Sequence, residues 1–179
     1  MRNIKGINSM GKLRTKILIS RLNMIYRVNN DTNYKDVTIC DEWLNDKEAY
    51  YHWYLANMIE GWHLDKDILS GESKIYSPET CMFVPNEVNL MFRKKYSNSS
   101  LMYKGIMKNG TGYRMKSTFN GKSKNGKTHH TQEEAYVDYL HHRIECFQLL
   151  QRKYSNHTKL CEVIKCEIEQ CLAEITRIN

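Results

Sequence analysis

Three side chains that can exchange protons or bind a cation recur at alternate positions: His63, Asp65 and Asp67, with Lys66 between the two carboxylates. Apolar residues alternate with them over residues 62–68, and a period of two predicts a β-strand. Such a strand would present the imidazole and both carboxylates on one side. Carboxylate oxygens suit hard divalent cations, and imidazole accepts protons near neutral pH. This strand face could therefore support metal binding or proton transfer.

Predicted elements before this segment would hold it in place. An amphipathic basic helix is expected over residues 11–26, where apolar residues recur at helical intervals: Leu13, Ile17, Leu22 and Ile25. A short strand is expected over residues 37–39. A second helix should begin at Asn45, because Glu48 follows three residues later as in a capping box. One side of that helix would carry Tyr50, Trp53 and Tyr54.

After the polar strand the chain returns and enters a short helix. Residues 74–76 and 81–84 are predicted to be extended, with Ser77-Pro78-Glu79 interrupting them. Pro85 can open a helix over residues 86–92, because its missing N–H costs nothing in a first helical turn. The predicted order of this part is strand, loop, strand and helix.

The residues of this part also carry a family resemblance. The stretch Leu64-Asp65-Lys66-Asp67-Ile68, followed by Tyr76-Ser77-Pro78-Glu79-Thr80-Cys81 and then Asn89, resembles the nuclease core of phage-encoded HNH homing endonucleases. Cys40-Asp41-Glu42-Trp43 matches an element often found upstream of that core, so the similarity covers roughly residues 17–92. The family implies a ββα-metal finger that hydrolyses DNA phosphodiesters with a divalent ion, Mg²⁺ or Mn²⁺.

The resemblance assigns roles residue by residue. Asp65 falls at the first metal-ligand position, Asn89 at the helix ligand position, and Thr80 at the place of an orienting Asn. Lys66 stands where active members have the His that serves as general base. A solvated lysine, with a reference pKa of about 10.4, is protonated at neutral pH and is a poor base. The finger is therefore degenerate.

Three interpretations of this departure follow. Lys66 acts as an electrostatic clamp on phosphate in a finger that no longer cuts. Alternatively, Lys66 serves as the base or is replaced in that role by His63 or Asp67. In the third, Asp65 and Asp67 cap and pair surface loops in an unrelated hairpin.

A second module is predicted after a polar linker at residues 93–100. Segments 101–107, 113–119 and 122–128 are short and extended, and Asn109-Gly110 and Asn120-Gly121 between them suit tight hairpin turns. Thr131 and Glu134 form a capping box ahead of a helix whose stripe, Tyr136, Leu140, Ile144, Phe147 and Leu150, could cover the sheet. A last helix over residues 160–175 should pack on it as a hairpin, through Leu160, Ile164, Ile168, Leu172 and Ile175.

This module resembles the DNA-binding domain of plant ethylene-response factors, which also occurs fused to phage HNH nucleases. The match covers about residues 101–150 and is carried by Tyr103-Lys104-Gly105-Ile106, Tyr113-Arg114, Asn120-Gly121-Lys122 and Thr131-Gln132-Glu133-Glu134-Ala135. In that family a three-stranded sheet enters the DNA major groove and the helix supports it from behind. The resemblance therefore implies double-stranded DNA as partner.

Charge is segregated along the chain in a way that favours a polyanion. Residues 1–30 hold seven Lys and Arg, residues 88–132 hold ten, and neither block has an acidic residue, although the chain has twenty. RNA or a ribonucleoprotein would fit these blocks as well as DNA does. Alternation places Arg114, Lys116 and Thr118 on one sheet face. The predicted DNA-binding residues are Lys104, Lys108, Arg114, Lys116, Lys122, Lys124 and Lys127.

The six cysteines predict neither a metal site nor disulfides. Cys161, Cys166 and Cys171 are five residues apart, so on a helix they point to three different sides. The chain has no Cys-x-x-Cys motif and no long apolar run, so we expect packed thiols, no membrane span and a cytoplasmic protein, in the infected bacterial cell if the phage resemblance holds.

Together these patterns predict an α+β protein with an HNH-like module at residues 1–95, an ethylene-response-factor-like module at 99–152 and a C-terminal helix at 153–179. The first functional hypothesis is a site-selective, metal-dependent DNA endonuclease. The alternative is a catalytically inactive DNA-binding or partner-blocking protein that keeps the same fold.

Overall fold

The computed structural model describes residues 4–70, 73–93 and 101–179 of the chain. It divides into two compact units, Met1–Pro85 and Asn86–Asn179. Each unit combines helices with small sheets, so the α+β class is confirmed. The linker predicted at 93–100, with the module boundaries inside it, lies outside the described residues except for Arg93. None of the described helices is both long and apolar enough to cross a bilayer.

The first unit is built on a long helix, α1 (Ile4–Asn30). Ile17 and Met24 are buried, whereas Leu22 is 58% exposed. The prediction for Leu22 was wrong, because at about 100° per residue it lies on a different side from Ile17, while Met24 returns to the same side. The buried stripe of α1 packs on the aromatic core of this unit.

Two helices joined at one residue supply that aromatic core. After a 3₁₀ turn (Thr32–Tyr34) the chain forms α2 (Asp41–Asn45) and α3 (Lys47–Asn57). The cap of α3 is Asp46, whose side chain accepts a hydrogen bond from the Glu48 N–H at 2.8 Å. Asn45 ends the preceding helix instead of starting this one, which corrects the predicted start.

Trp43 is the centre of the aromatic core. Its side chain is fully buried, with its ring centroid 5.1 Å from that of Tyr50 and 4.7 Å from that of Trp53. Tyr50 and Trp53, which were predicted to lie on one side of this helix, therefore pack on Trp43 of the Cys40-Asp41-Glu42-Trp43 element. Ring pairs in edge-on and tilted geometry stabilise the fold by more than their buried area alone would.

Two short two-stranded sheets complete the first unit. Strand β1 (Thr38–Ile39) pairs in parallel with β3 (Ile75–Tyr76), and β2 (His63–Asp65) pairs antiparallel with β4 (Met82–Val84). The predicted strand over residues 62–68 is only half correct. A short helix, α4 (Asp67–Ser70), replaces its second half, because the Asp65 side chain binds the first N–H groups of that helix.

The second unit begins with helix α5 (Asn86–Phe92), which is the helix predicted after Pro85. Its three-stranded antiparallel sheet has the order β5 (Ile106–Asn109), β6 (Gly112–Phe119), β7 (Lys122–Asn125). Only the second predicted Asn-Gly turn has the predicted residues. The first turn consists of Gly110 and Thr111, because Asn109 is the last residue of β5 and pairs with Gly112. Asn120 and Gly121 adopt φ values of 49° and 73°, as a two-residue hairpin turn requires. The outer strands are shorter than predicted.

Two long helices follow this sheet, and the first of them covers one of its sides. Helix α6 (Gln132–Lys153) starts at the predicted capping box of Thr131 and Glu134, and α7 (Thr158–Ile178) packs on it as the predicted hairpin. Leu172 is 49% exposed and Cys171 is buried in its place, which corrects the predicted stripe. Cys161 is half-buried and Cys166 exposed, so the three thiols do point to different sides.

Helix α5 is held against α6 by a ring contact and several hydrogen bonds. The rings of Phe92 and Phe147 are 5.3 Å apart, and Arg143 Nη1 donates to the Met91 carbonyl at 2.9 Å. Glu87 Oε1 accepts from Lys153 Nζ and the Tyr154 hydroxyl, both at 2.6 Å. Although burial opposes ionisation of Glu87, these two bonds lower its pKa. The sequence had assigned this helix to the first module.

These contacts predict that α5 stabilises the second unit. A fragment of residues 86–179 should fold, and a fragment of residues 99–179 should have a lower free energy of unfolding by about 2–4 kcal/mol, as expected for losing a packed aromatic side chain with its hydrogen bonds. Urea denaturation followed by circular dichroism measures the difference. Equal stability of the two fragments would mean that α5 contributes nothing to this unit.

Candidate functional site

Asp65 lies at the end of β2 and begins α4. Its Oδ1 atom accepts hydrogen bonds from the N–H groups of Asp67 and Ile68, both at 2.9 Å. This is the geometry of a helix N-cap. Burial raises the pKa of Asp65, although the two N–H groups favour the ionised form. The carboxylate of Asp65 therefore caps a helix, whereas the resemblance assigns it the role of a metal ligand.

Lys66 is buried, with 7% of its surface exposed. Its ammonium group pairs with Asp67 Oδ1 and lies 5.5 Å from the ring centroid of Tyr76 and 5.8 Å from that of Tyr34. A carboxylate and two ring faces each attract a positive charge. Lys66 therefore joins α4 to segments of the first unit that are distant in sequence.

Thr80 holds the loop between β3 and β4. Its hydroxyl donates to the Ile75 carbonyl at 2.6 Å and accepts from the Ser77 N–H at 3.0 Å. Burial raises the pKa of the neighbouring Cys81 to about 12, so this thiol stays protonated and unreactive. Through these two hydrogen bonds Thr80 holds the backbone of this loop in place.

The remaining predicted site residues are spread over different elements. His63 is exposed on β2, and the side chain of Asp67 is 70% exposed at the start of α4 rather than on the strand face. Asn89 is half-buried on α5, in the second unit, whereas Asp65 belongs to the first. Across residues 4–70, 73–93 and 101–179, no three His, Cys, Asp or Glu side chains are grouped to hold a metal ion.

The strand register shows which sheet residues share a face. Arg114 lies opposite Met107, and Lys116 opposite Asn125, whereas Met115 lies opposite Ile106. Met115 and Ile106 are buried on the side covered by α6. Because neighbouring residues of a strand point to opposite faces, Arg114, Lys116 and Thr118 face away from α6, as predicted. We call this side the outer face.

The other predicted DNA-binding lysines do not all share that face. By register Lys108, Lys122 and Lys124 alternate to the α6 side of the sheet. Lys124 Nζ lies 3.2 Å from both Glu145 Oε2 and His142 Nδ1 of α6. Lys104 precedes β5 and Lys127 follows β7, and both are exposed. The seven cations are therefore distributed around the sheet.

The basic block of α1 is partly used inside the first unit. Arg14 pairs with Glu48, and its guanidinium lies 4.5 Å from the ring centroid of Tyr51. Arg21 donates to the carbonyls of Trp43 and Leu44 at 2.7 and 2.6 Å. Two of the seven cations of residues 1–30 thus make contacts inside the first unit.

Sequence reasoning missed two features that the fold creates. The rings of Tyr34 and Tyr76 beside Lys66 come from distant segments, and no spacing rule connects them. Arg143 is buried and donates to Glu167 Oε1 of α7 at 2.7 Å. A sequence signal for it existed, because Arg143 stands three residues after Leu140 on the apolar side of the predicted helix.

Comparison of the chain with protein-family models, curated proteins and solved structures finds no match. The two resemblances therefore rest on the residues quoted for them. The structure adds element order and geometry to those residues.

Substitutions of Asp65 distinguish a role in capping α4 from a role that requires the negative charge. Asp65→Asn should keep the fold, because the Asn oxygen can accept the same two N–H groups, whereas Asp65→Ala should cost about 1 kcal/mol. Since the folded-state pKa of Asp65 is raised, the wild type loses stability relative to the Asn variant as pH rises through that pKa. Urea denaturation of the three proteins between acid and neutral pH tests this. A large loss of stability with Asn would contradict a capping role.

Proposed function

We propose that this protein binds nucleic acid, and duplex DNA in the first place, through the outer face of the sheet β5–β6–β7. The observation that carries the proposal is the separation of charge within the second unit. Residues 88–132 contain ten basic residues and no acidic one. The acidic residues of the unit lie on its helices: Glu87, Glu133, Glu134, Asp138, Glu145, Glu162, Glu167, Glu169 and Glu174.

The geometry of the sheet supports duplex DNA as the polyanion. A ribbon of β-strands fits the DNA major groove, and several DNA-binding proteins read bases in this way. The central strand β6 presents Arg114, Lys116 and Thr118 in a row on the outer face. Arginine can donate both ends of its fork to guanine, while lysine neutralises phosphate. The capped helix behind a three-stranded sheet matches what the ethylene-response-factor resemblance implies.

Arg114 has an additional feature that suits a binding role. Its Nε atom is buried, and within the described residues it has no hydrogen-bond partner. An unpaired buried donor costs free energy, so a rotation that brings the guanidinium to a phosphate or base acceptor would be favoured. We therefore place Arg114 at the centre of the proposed interface.

This proposal predicts the effect of removing charge from the outer face. Arg114→Gln combined with Lys116→Gln should weaken duplex binding strongly. The slope of log Kd against the logarithm of the salt concentration should fall by about 2, because two phosphate contacts are lost. Fluorescence anisotropy with a labelled duplex at several salt concentrations measures both quantities. Circular dichroism checks that the variant is folded.

The matched control removes the same charge from the α6 side of the sheet. Lys108→Gln combined with Lys124→Gln should change affinity and salt slope far less. Equal effects of the two double variants would show that the outer face is not the interface. Tighter binding to duplex RNA than to duplex DNA of the same sequence would shift the proposal to RNA.

The second candidate function is metal-dependent DNA cleavage, and one structural observation favours it. Strands β2 and β4 pair antiparallel and α5 follows next along the chain, which is the element order of a ββα finger. Asp65 lies at the end of the first of these strands. If this element once carried catalysis, Lys66 is the departure that replaced its general base.

Restoring the imidazole tests this second candidate. Lys66→His should create or raise Mg²⁺- or Mn²⁺-dependent nicking of plasmid DNA near and above pH 6.5, since the neutral form of a histidine with a pKa of about 6.5 accepts protons there. Lys66→Met keeps the side-chain length without a base and is the control. Absence of nicking by wild type and His variant, with duplex binding intact, would reject the nuclease and leave the binding protein.

A further inference from the structure

The segment that follows β7 contains a β-bulge beside the middle of β6. The Gly126 N–H donates to the Met115 carbonyl at 3.0 Å, and Tyr113 exchanges backbone hydrogen bonds of 2.9 and 2.7 Å with His129. One residue of β6, Arg114, lies between these contacts, whereas two residues lie between them on the opposite segment. Two residues against one define a bulge, and bulges often redirect a side chain beside a functional site.

Thr128, the second of the two bulge residues, reaches across the outer face. Its hydroxyl accepts a hydrogen bond from Asn109 Nδ2 at 2.8 Å. Asn109 pairs with Gly112, which is two residues before Arg114 and therefore shares its face. A Cβ atom at Gly112 would lie 2.9 Å from Thr128 Cγ2 and 2.3 Å from the His129 carbonyl oxygen. The bond between Asn109 and Thr128 thus crosses β6 at a position where glycine is required.

The hydrogen bond to Thr128 holds the Asn109 amide in one orientation. It uses one of the two Nδ2 hydrogens, and an asparagine has its second hydrogen and its Oδ1 for a further partner. Adenine presents the matching pair in the major groove, with N7 as acceptor and N6 as donor. Guanine presents two acceptors there, which one remaining hydrogen cannot satisfy. The held amide therefore suits adenine.

The spacing between Asn109 and Arg114 matches the spacing of stacked bases. Gly112, the cross-strand partner of Asn109, is two residues from Arg114, and two residues of an antiparallel strand advance about 6.8 Å. Bases of one DNA strand are about 3.4 Å apart, so this separation corresponds to about two base steps. The guanidinium fork of Arg114 suits guanine. The pair therefore corresponds to a guanine and an adenine about two base steps apart.

The neutral side chains and the cations of this region suit different tasks. Asn109 and Thr128 carry no charge, so neither can neutralise a phosphate. Lys116, two residues after Arg114, and Lys127, the first bulge residue, are exposed cations. Phosphate contacts position a protein on a duplex without reading its sequence, whereas contacts to base edges read it. The lysines thus suit affinity and the amide suits sequence recognition.

We infer that Asn109, held by Thr128, is a specificity-determining residue that selects an adenine about two base steps from a guanine bound by Arg114. The inference rests on the proposed duplex-binding function of the outer face and adds a sequence preference to it. Thr128 is a positioning residue, because it acts through the Asn109 amide.

Selection of duplexes from a randomised pool by the full chain tests the inference. The selected sequences should share a guanine and an adenine about two base pairs apart. Replacing the base pair that contains this adenine should weaken binding by the wild type at least fivefold in fluorescence anisotropy, since a two-bond contact to a base edge is lost. Asn109→Ala should bind the original and the changed duplex with affinities within twofold of each other. The matched control is Asn125→Ala, which removes an asparagine opposite Lys116 on the same face and should keep the wild-type discrimination at this base pair.

Two substitutions of Thr128 separate positioning from shape. Thr128→Val keeps the shape and removes the acceptor, so discrimination at the adenine should fall at least threefold. Thr128→Ser keeps the hydroxyl and should retain the wild-type discrimination within twofold. Circular dichroism checks that each variant is folded. Equal discrimination by the Val and Ser variants would contradict a positioning role.

Failure of the inference and failure of the proposed function give different results. If the wild type binds no duplex, both are rejected. If the wild type binds duplexes but selects no sequence with this adenine, only the inference is overturned. The same holds if Asn109→Ala discriminates at the adenine as strongly as the wild type does.

Discussion

Helix α6 is buried on two sides, and the second unit depends on this. One side, with Leu140 and Ile144, packs on Cys171 and Ile175 of α7, while another side covers the sheet. A helix in this position needs a defined start, and the reciprocal bonds of Thr131 and Glu134 provide it. Helix α6 covers one face of the sheet. The face that points away from α6 therefore presents polar and cationic residues.

The same helix explains how charge is sorted in the second unit. Lys124 alternates to its side of the sheet and there lies 3.2 Å from both Glu145 and His142 of α6. Arg114 and Lys116 point the other way, where strands without acidic residues surround them. The register therefore divides the cations of this block between the two faces of the sheet, and on the α6 side Lys124 pairs with a helix carboxylate.

The segment Asp65-Lys66-Asp67 shows how one set of polar residues can serve structure where a family pattern assigns chemistry. Asp65 caps α4, Asp67 opens it, and Lys66 is enclosed by Asp67 and two tyrosine rings. These contacts correspond most closely to the interpretation in which the carboxylates cap and pair. Strands β2 and β4 pair antiparallel with α4 and β3 between them along the chain, and α5, which follows β4, belongs to the second unit.

Local signals in the sequence determined most of the elements. The helix after Pro85, the turn at Asn120-Gly121, the capping box at Thr131 and the α6–α7 hairpin follow from residues close to one another in the chain, so each could be predicted. The parallel pairing of β1 with β3, the attachment of α5 to Phe147 and Arg143, and the rings around Lys66 join distant segments. Only the tertiary structure decided these features, because packing and hydrogen bonding between remote residues, rather than spacing along the chain, determine which partners a side chain meets.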